Sequence, residues 1–240
     1  MSPSEMDRIG LAYLAARRAE GRLLEDEVVR GLPESGRQTI HSAEWRVRKG
    51  SLATLLRLMA KARQSLRVLD VGCGNGWMSA QLAKAGHPIT AIDTNQLEIG
   101  QAARVFGSNV VRWIRTDPYD PILGLHEYDR IIFAASLHYF ADLTALIARC
   151  DELLVPDGEI HVLDSRFYAS SAKRAGAAER TRHHFEQIGV PDMISHYHHH
   201  TWEDLRTAAS HSRMEIQHPP TRWSWILGAG GAFPYVVLHR

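Results

Sequence analysis

Cysteine is nearly absent from this 240-residue chain, which holds only Cys73 and Cys150. Two thiols cannot make a disulfide framework, so a reducing cytoplasm is the expected compartment. A surplus of either charge is also missing: 28 Lys and Arg stand against 27 Asp and Glu, a net charge of +1. That balance gives no global attraction to nucleic acid or to an anionic membrane, and neither is expected as a partner. Long apolar runs are lacking too. The longest early patch, Leu11 to Ala16, falls far short of the roughly 20 residues that cross a bilayer. The opening MSPSEMDRIG has no apolar core of a secretion signal. There is no internal repeat and no low-complexity tract beyond a histidine cluster near residue 198. What remains is an ordinary globular composition, 45% hydrophobic and 23% charged, with chain enough for a full core.

The apolar pattern changes period along the chain. Residues 1–65 read as helical, with Leu11, Leu14, Ala15 and Leu52, Leu55, Leu56, Met59 at helical spacing, and with Gly31, Pro33 and Gly36 as breaks. Then short apolar strands alternate with helices. Strands are expected at 66–72, 88–93, 109–117, 129–136 and 158–164, with helices at 77–86, 96–107 and 142–154 between them. Such alternation predicts an α/β fold around a mostly parallel sheet with helices on both faces. MEIQ (214–217) and YVVLH (235–239) read as two final strands paired antiparallel. Residues 165–200 break the alternation. They are polar, helical around 171–188, rich in Arg and His, and read as an insertion after the fifth strand.

VLDVGCGNGWMS (68–79) places Gly72, Gly74 and Gly76 directly after a buried strand. In open α/β sheets ligands bind at the carboxyl ends of the strands, and glycine lets backbone turn sharply close to a ligand. The dinucleotide fingerprint is G-x-G-x-x-G. Here the spacing is G-x-G-x-G, and Asp70 precedes the first glycine by two residues. An acid there disfavours a pyrophosphate and favours a nucleoside-like ligand with a cationic end.

Leu69-Asp70-Val71-Gly72-Cys73-Gly74-Asn75-Gly76 resembles the first motif of the class I, Rossmann-like S-adenosylmethionine-dependent methyltransferases, a likeness that covers about residues 66–164. The resemblance implies a seven-stranded sheet with an antiparallel last strand, S-adenosylmethionine as cofactor and S-adenosylhomocysteine as product. It places Asp70 near the cofactor's amino group, with Gly72, Cys73, Gly74, Asn75 and Gly76 in the cofactor turn. Asp93 would grip the ribose hydroxyls, with Thr94 and Asn95 beside the adenosine. Thr116, Asp117 and Pro118 would meet the adenine. Ala134 and Ala135, on the way to His138, would line the methionine end. Leu153 to Gly158 is similar to the family's turn before its fifth strand, with Asp157 where Gly is usual. No Asn/Asp-Pro-Pro-Tyr motif follows the fourth strand, which points to the small-molecule branch of the family.

Several further residues have both a functional and a plain structural reading. His138 is a candidate catalytic base, since neutral imidazole accepts protons near pH 7, or a lining residue. His183, His184, His196, His198, His199 and His200 are expected in solvent or along a pocket, with no metal called for. Trp45 and Arg48 either start a solvated basic helix or close over the cofactor. Trp223 and Trp225 read as core or acceptor pocket. Domain boundaries follow: an N-terminal helical cap at 1–65 and a cofactor domain at 66–240, within which 165–200 forms an acceptor-side cap. Between 165 and 190 the cations Arg166, Lys173, Arg174, Arg180 and Arg182 outnumber Glu179 and Glu186, which favours a polar or anionic small-molecule acceptor. The expected reaction is methyl transfer to such an acceptor at a hydroxyl. Its rivals are a non-catalytic cofactor-binding module and a nicotinamide-dependent oxidoreductase.

Overall fold

A computed structural model describes residues 3–62, 64–218 and 233–240. Trp223 and Trp225 lie outside these residues. Three helices lead: α1 (Pro3–Ala19), α2 (Asp26–Arg30) and α3 (Ser42–Met59). The alternating region follows as β1 (Val68–Val71), α4 (Trp77–Lys84), β2 (Ile89–Asp93), α5 (Gln96–Phe106), β3 (Val111–Arg115), β4 (Tyr128–Ala134), α6 (Leu143–Leu153) and β5 (Leu154–Leu163). Beyond it come β6 (Phe167–Tyr168), α7 (Ser171–Gln187), β7 (His200–Thr201), α8 (Trp202–His211), β8 (Glu215–Gln217) and β9 (Val236–His239).

Seven strands form one sheet in the order β3-β2-β1-β4-β5-β9-β8. The first five are parallel, and β9 runs antiparallel to both β5 and β8. This is the Rossmann-like seven-stranded arrangement that the sequence pattern and the resemblance imply. Strand order reverses at β1, which lies between β2 and β4, and that reversal opens a crevice at the carboxyl ends of the strands.

Each face of the sheet carries its own core. Leu146, Ile147 and Cys150 of α6 and Leu205 and Ala208 of α8 cover one face, against Leu69, Val71, Ile131 and Phe133. Leu52, Leu55 and Met59 of α3 and Trp77, Met78 and Leu82 of α4 cover the other, against Val68, Ala91 and Ile132. The helix α3 thus shares a core with the sheet. Both cysteines are free and buried, and they sit in different cores.

Three local features depart from the sequence pattern. β5 begins at Leu154, directly after α6, because Tyr128 pairs with Leu154 and Arg130 with Glu159. The residues between are therefore an irregularity inside the strand. α8 is hidden in a polar sequence and starts with a capping box: Thr201 Oγ1 accepts from the Asp204 amide, and Asp204 accepts from the Thr201 amide. The insertion also holds β6 and β7, paired with each other outside the main sheet.

Candidate functional site

A cavity of about 670 Å³ opens at the carboxyl ends of β1 to β5, within the usual range of roughly 300–1,000 Å³ for small-molecule and cofactor sites. Of the residues singled out from sequence, Gly72, Cys73, Gly74, Asn75, Asp93, Thr94, Asn95, Thr116, Asp117, Pro118, Ala134, Ala135 and His138 line it. Trp45 and Arg48 of α3 line it as well. Asp70 and Gly76 do not.

The turn after β1 is built into the end of β2. The amides of Gly72 and Cys73 both donate to the Ile92 carbonyl, at 2.9 and 3.0 Å. The Gly74 amide donates to Asp93 Oδ2 at 2.9 Å, and the Asn95 amide donates to Asp93 Oδ1 at 2.8 Å. A phosphate-binding turn needs its amides free to meet an anion, whereas three successive amides of this one are engaged within the protein. Gly72 has φ 71°, and a Cβ there would stand 2.6 Å from Ser136 Cβ, so glycine lets the end of β1 approach β4. Gly76 has φ 76° and would collide with the Trp113 ring at 2.5 Å. Its absence from the cavity wall follows: it packs α4 against β3 and does not serve ligand approach.

Asp70 is likewise turned away from the cavity. It sits mid-sheet between Ala91 and Ile132. Side chains alternate along a strand, and this one points to α4, where Oδ2 accepts from Ser79 Oγ at 2.5 Å. Oδ1 is buried without a hydrogen-bond partner. Burial pushes its pKa up to about 6, against the Ser79 bond that lowers it.

Asp93 faces the cavity from the end of β2. Burial raises its pKa, opposed by the amides of Asn95, Gly74 and Thr94. Beside it, Glu98 is buried on the inner face of α5 with Ile99 and Ala102. Its pKa is pushed up to about 7 by burial, against Arg17. At the end of β3, Thr116 Oγ1 donates to Asp120 Oδ2 at 2.6 Å, and Asp117 Oδ1 accepts from the Tyr119 amide at 2.9 Å.

Beyond β4 the wall becomes aromatic. The His138 ring lies 4.2 Å from that of Tyr139 and 4.3 Å from that of Tyr197. Burial, with the neighbouring His199, Arg48, His200 and His198, pushes the His138 pKa down to about 3. Its imidazole is neutral at every physiological pH and a far weaker base than free histidine. Asp164, at the end of β5, has φ 53°, a strained conformation for a residue with a side chain. It accepts from Ser51 Oγ at 2.6 Å, and burial raises its pKa. Glu44 receives Arg22 at 2.7 Å and Arg48 at 2.6 Å. The Arg48 guanidinium also lies over Trp45, 5.0 Å from the ring centre, and its Nε is buried without a partner.

The cap elements meet over this wall. Ala16 of α1 packs with Phe185, Val190 and Met193, and Tyr13 and Tyr197 lean on the same small core. The insertion contributes Phe185, Met193, His196 and Tyr197 to the cavity. Its cations do not reach the wall. Arg174 pairs with Asp204, Arg182 with Glu179 and Glu186, and Arg166 lies over Tyr168. The basic surplus of 165–190 therefore gives no reason to expect an anionic acceptor.

Among the clustered histidines only His196 lines the cavity. His183 bonds Gln187, His184 pairs with Glu20, and His199 bonds Thr181. Among the described residues no three His, Cys, Asp or Glu side chains converge on a common point.

Sequence reasoning does not single out Tyr13, Arg17, Glu98, Tyr139, Asp164 or Tyr197, all on the cavity wall. A usable signal exists for two of them. Glu98 is an acid on an otherwise apolar helix face, and Asp164 ends its strand as Asp93 does.

Residues 43–214 match the family described as "Methyltransferase domain". An uncharacterized methyltransferase of Mycobacterium tuberculosis is 31% identical over 96 residues, 40% of this chain and 49% of that protein. A ubiquinone biosynthesis O-methyltransferase of Xanthomonas oryzae pv. oryzae is 31% identical over 141 residues, 54% and 59% of the two chains. The chain thus spans about half the length of these relatives. In fold it is similar to the YcgJ protein of Bacillus subtilis, with a TM-score of 0.61 at 16% identity, over 78% of this chain and 95% of that one.

Proposed function

Because the chain belongs to the methyltransferase-domain family, we propose that it transfers a methyl group from S-adenosylmethionine to a small-molecule hydroxyl. The observation that carries the reading is the Asp93 carboxylate, held at the cavity wall by the Gly74 amide of the turn after β1 and the Asn95 amide beyond β2. A carboxylate fixed there accepts from a sugar diol, and it repels a pyrophosphate. An acid at this strand end also holds the ribose in dinucleotide enzymes; what argues against a dinucleotide-dependent oxidoreductase is that the Gly72, Cys73 and Gly74 amides are engaged within the protein.

The residues present fit the cofactor. Asp93 would accept from the ribose hydroxyls, with Thr94 and Asn95 beside it. Thr116, Asp117 and Pro118 would border the adenine. Gly72 and Cys73, with Ala134 and Ala135, would border the amino-acid end, and Gly74 and Asn75 the ribose held by Asp93. The unpartnered Nε of Arg48 is a donor available to a carboxylate, with Trp45 stacked behind it. S-adenosylmethionine supplies a methyl group on a sulfonium, which departs as a neutral thioether.

The protein's own task is to align the acceptor with that methyl, exclude water and take a proton. The cap of α1 and the insertion covers the aromatic part of the cavity. There the neutral His138 ring accepts a hydrogen bond from the acceptor hydroxyl. Its low basicity is sufficient for a late proton transfer, because an alcohol oxygen that has gained a methyl group is far more acidic than an imidazolium. An amine acceptor would need no such group, which is why the cavity favours a hydroxyl. The O-methyltransferase name of the Xanthomonas relative agrees with this choice.

Radiolabelled S-adenosylmethionine with a panel of phenols, aliphatic alcohols and amines tests the reading. Label is expected in a hydroxyl compound and absent from the amines. Label confined to amines would overturn the hydroxyl assignment.

A further inference from the structure

α1 is fastened to the nucleoside end of the cavity at several points. Asn95 Nδ2 donates to the Gly10 carbonyl at 3.2 Å, and Arg115 pairs with Asp7. Beneath these ties, Tyr13 and Arg17 of α1 line the cavity with Glu98 of α5. Glu98 is only 6% exposed, and its Oε2 lies 3.6 Å from where a Cβ on Gly74 would stand, so it borders the part of the turn that faces the cavity. Arg17 lies on the same wall, its Nε buried without a partner, and its charge acts on both Glu98 and Asp93. Both carboxylates border a site that a nucleoside would cover.

We propose that Glu98, buried at the cavity wall beside Gly74 and across from Tyr13 and Arg17 of the N-terminal helix, is a proton-linked positioning residue, and that ligand binding beside Gly74 takes up a proton at its carboxyl group. The inference rests on the reading of this cavity as a cofactor site. Adenosine is uncharged, so a ligand seated there displaces water from Glu98 without bringing a compensating cation. Desolvation penalises the ionised carboxylate. Burial in the free protein already holds Glu98 near the point where both forms are populated at neutral pH, its pKa about 7. The groups facing it do not replace it as the titrating group. Burial raises the Tyr13 phenol and the Cys73 thiol well above their usual ranges. The pKa of Arg17 is itself raised, with Tyr13 and Glu98 among the causes. Asp93 adds a negative charge that further favours the protonated form of Glu98. The sign follows from linkage. A group whose pKa rises on binding strengthens binding at low pH, and that gain is lost as pH climbs through the titration.

Calorimetric titration of the full chain with S-adenosylhomocysteine tests this, run in two buffers of different ionisation heat from about pH 6 to about 8.5. The wild type is expected to take up a fraction of a proton near neutrality and to lose about tenfold in affinity over that range, the effect of one unit of pKa shift. Glu98→Gln keeps the shape but cannot titrate. It should show neither the uptake nor the extra pH dependence, while any titration of the ligand's own groups persists in both proteins. Equal pH profiles for wild type and Glu98→Gln would overturn the proposal. Absence of proton uptake by the wild type would do so as well, and needs no variant to fold. Failure of the wild type to bind S-adenosylhomocysteine at any pH would instead remove the cofactor reading on which the proposal stands.

Discussion

At the scale of single residues, environment decides which candidates remain active groups. Asp70 and Asp93 look alike in the sequence, each an acid near the end of a buried strand. Asp70 points into the sheet–helix interface, whereas Asp93 is turned outward by two backbone amides. Nothing in the residue types distinguishes them; the strand's alternation and the path of the turn do. His138 shows the same dependence. A histidine after the fourth strand reads as a base titrating near neutrality, but burial and neighbouring cations move its pKa to about 3. Replacing His138 by Ala is therefore expected to lower kcat by only about 10-fold, below the usual range of a base matched to the working pH, with little change in S-adenosylhomocysteine affinity. The wild-type rate should show no imidazole titration between about pH 5 and 8. A pH–rate profile, with the acceptor found in the panel, checks both points. A titration in that window that vanishes in His138→Ala would mean the imidazole is far more basic than its surroundings imply. Glu98 and Asp164 were legible only in part. Each is an acid in an apolar setting, but the partners that give them a role, Tyr13 and Ser51, lie 85 and 113 residues away in the chain.

At the scale of elements, periodicity located the alternating region because each strand is buried on at least one face and each helix has an apolar stripe. It did not find α8. That helix is announced by its Thr201–Asp204 capping box, whose polar residues look like a continuation of the insertion. Nor could the pattern show that β5 starts at Leu154, since only the pairing with Tyr128 reveals it. The proposed cap over 165–200 draws its support from the small core shared by α1 and the insertion. The buried members of the two large cores all lie outside 168–198. Replacing 168–198 by a short Gly/Ser linker should therefore leave the sheet folded. It removes Phe185, Met193 and Tyr197 from the cavity wall. Turnover is expected to be abolished while a cooperative thermal transition is retained. A linker variant that methylates its acceptor at the wild-type rate would show that the insertion only shields the sheet.

At the scale of the whole molecule, topology explains why one cavity gathers residues from across the sequence. Parallel strands send all their carboxyl ends to one edge of the sheet, and the reversal of order at β1 leaves a crevice there. Residues near positions 72, 93, 116, 135 and 164 arrive together for that reason. The N-terminal helix then closes one side through Asp7, Gly10 and Tyr13. The sequence implies a helical cap at 1–65, but not which atoms of α1 tie it to the crevice, because those partners are single polar atoms far away in the chain. The central claim is that this crevice holds an S-adenosyl nucleoside through Asp93. Titration calorimetry of the wild type and Asp93→Ala with S-adenosylhomocysteine tests it most directly. Hydrogen bonds to a charged acceptor contribute about 1.5–3 kcal/mol each. The account predicts one bound ligand per chain, and an affinity at least ~10-fold weaker in a folded Asp93→Ala protein. An unchanged affinity in the variant, or no binding by the wild type, would contradict it.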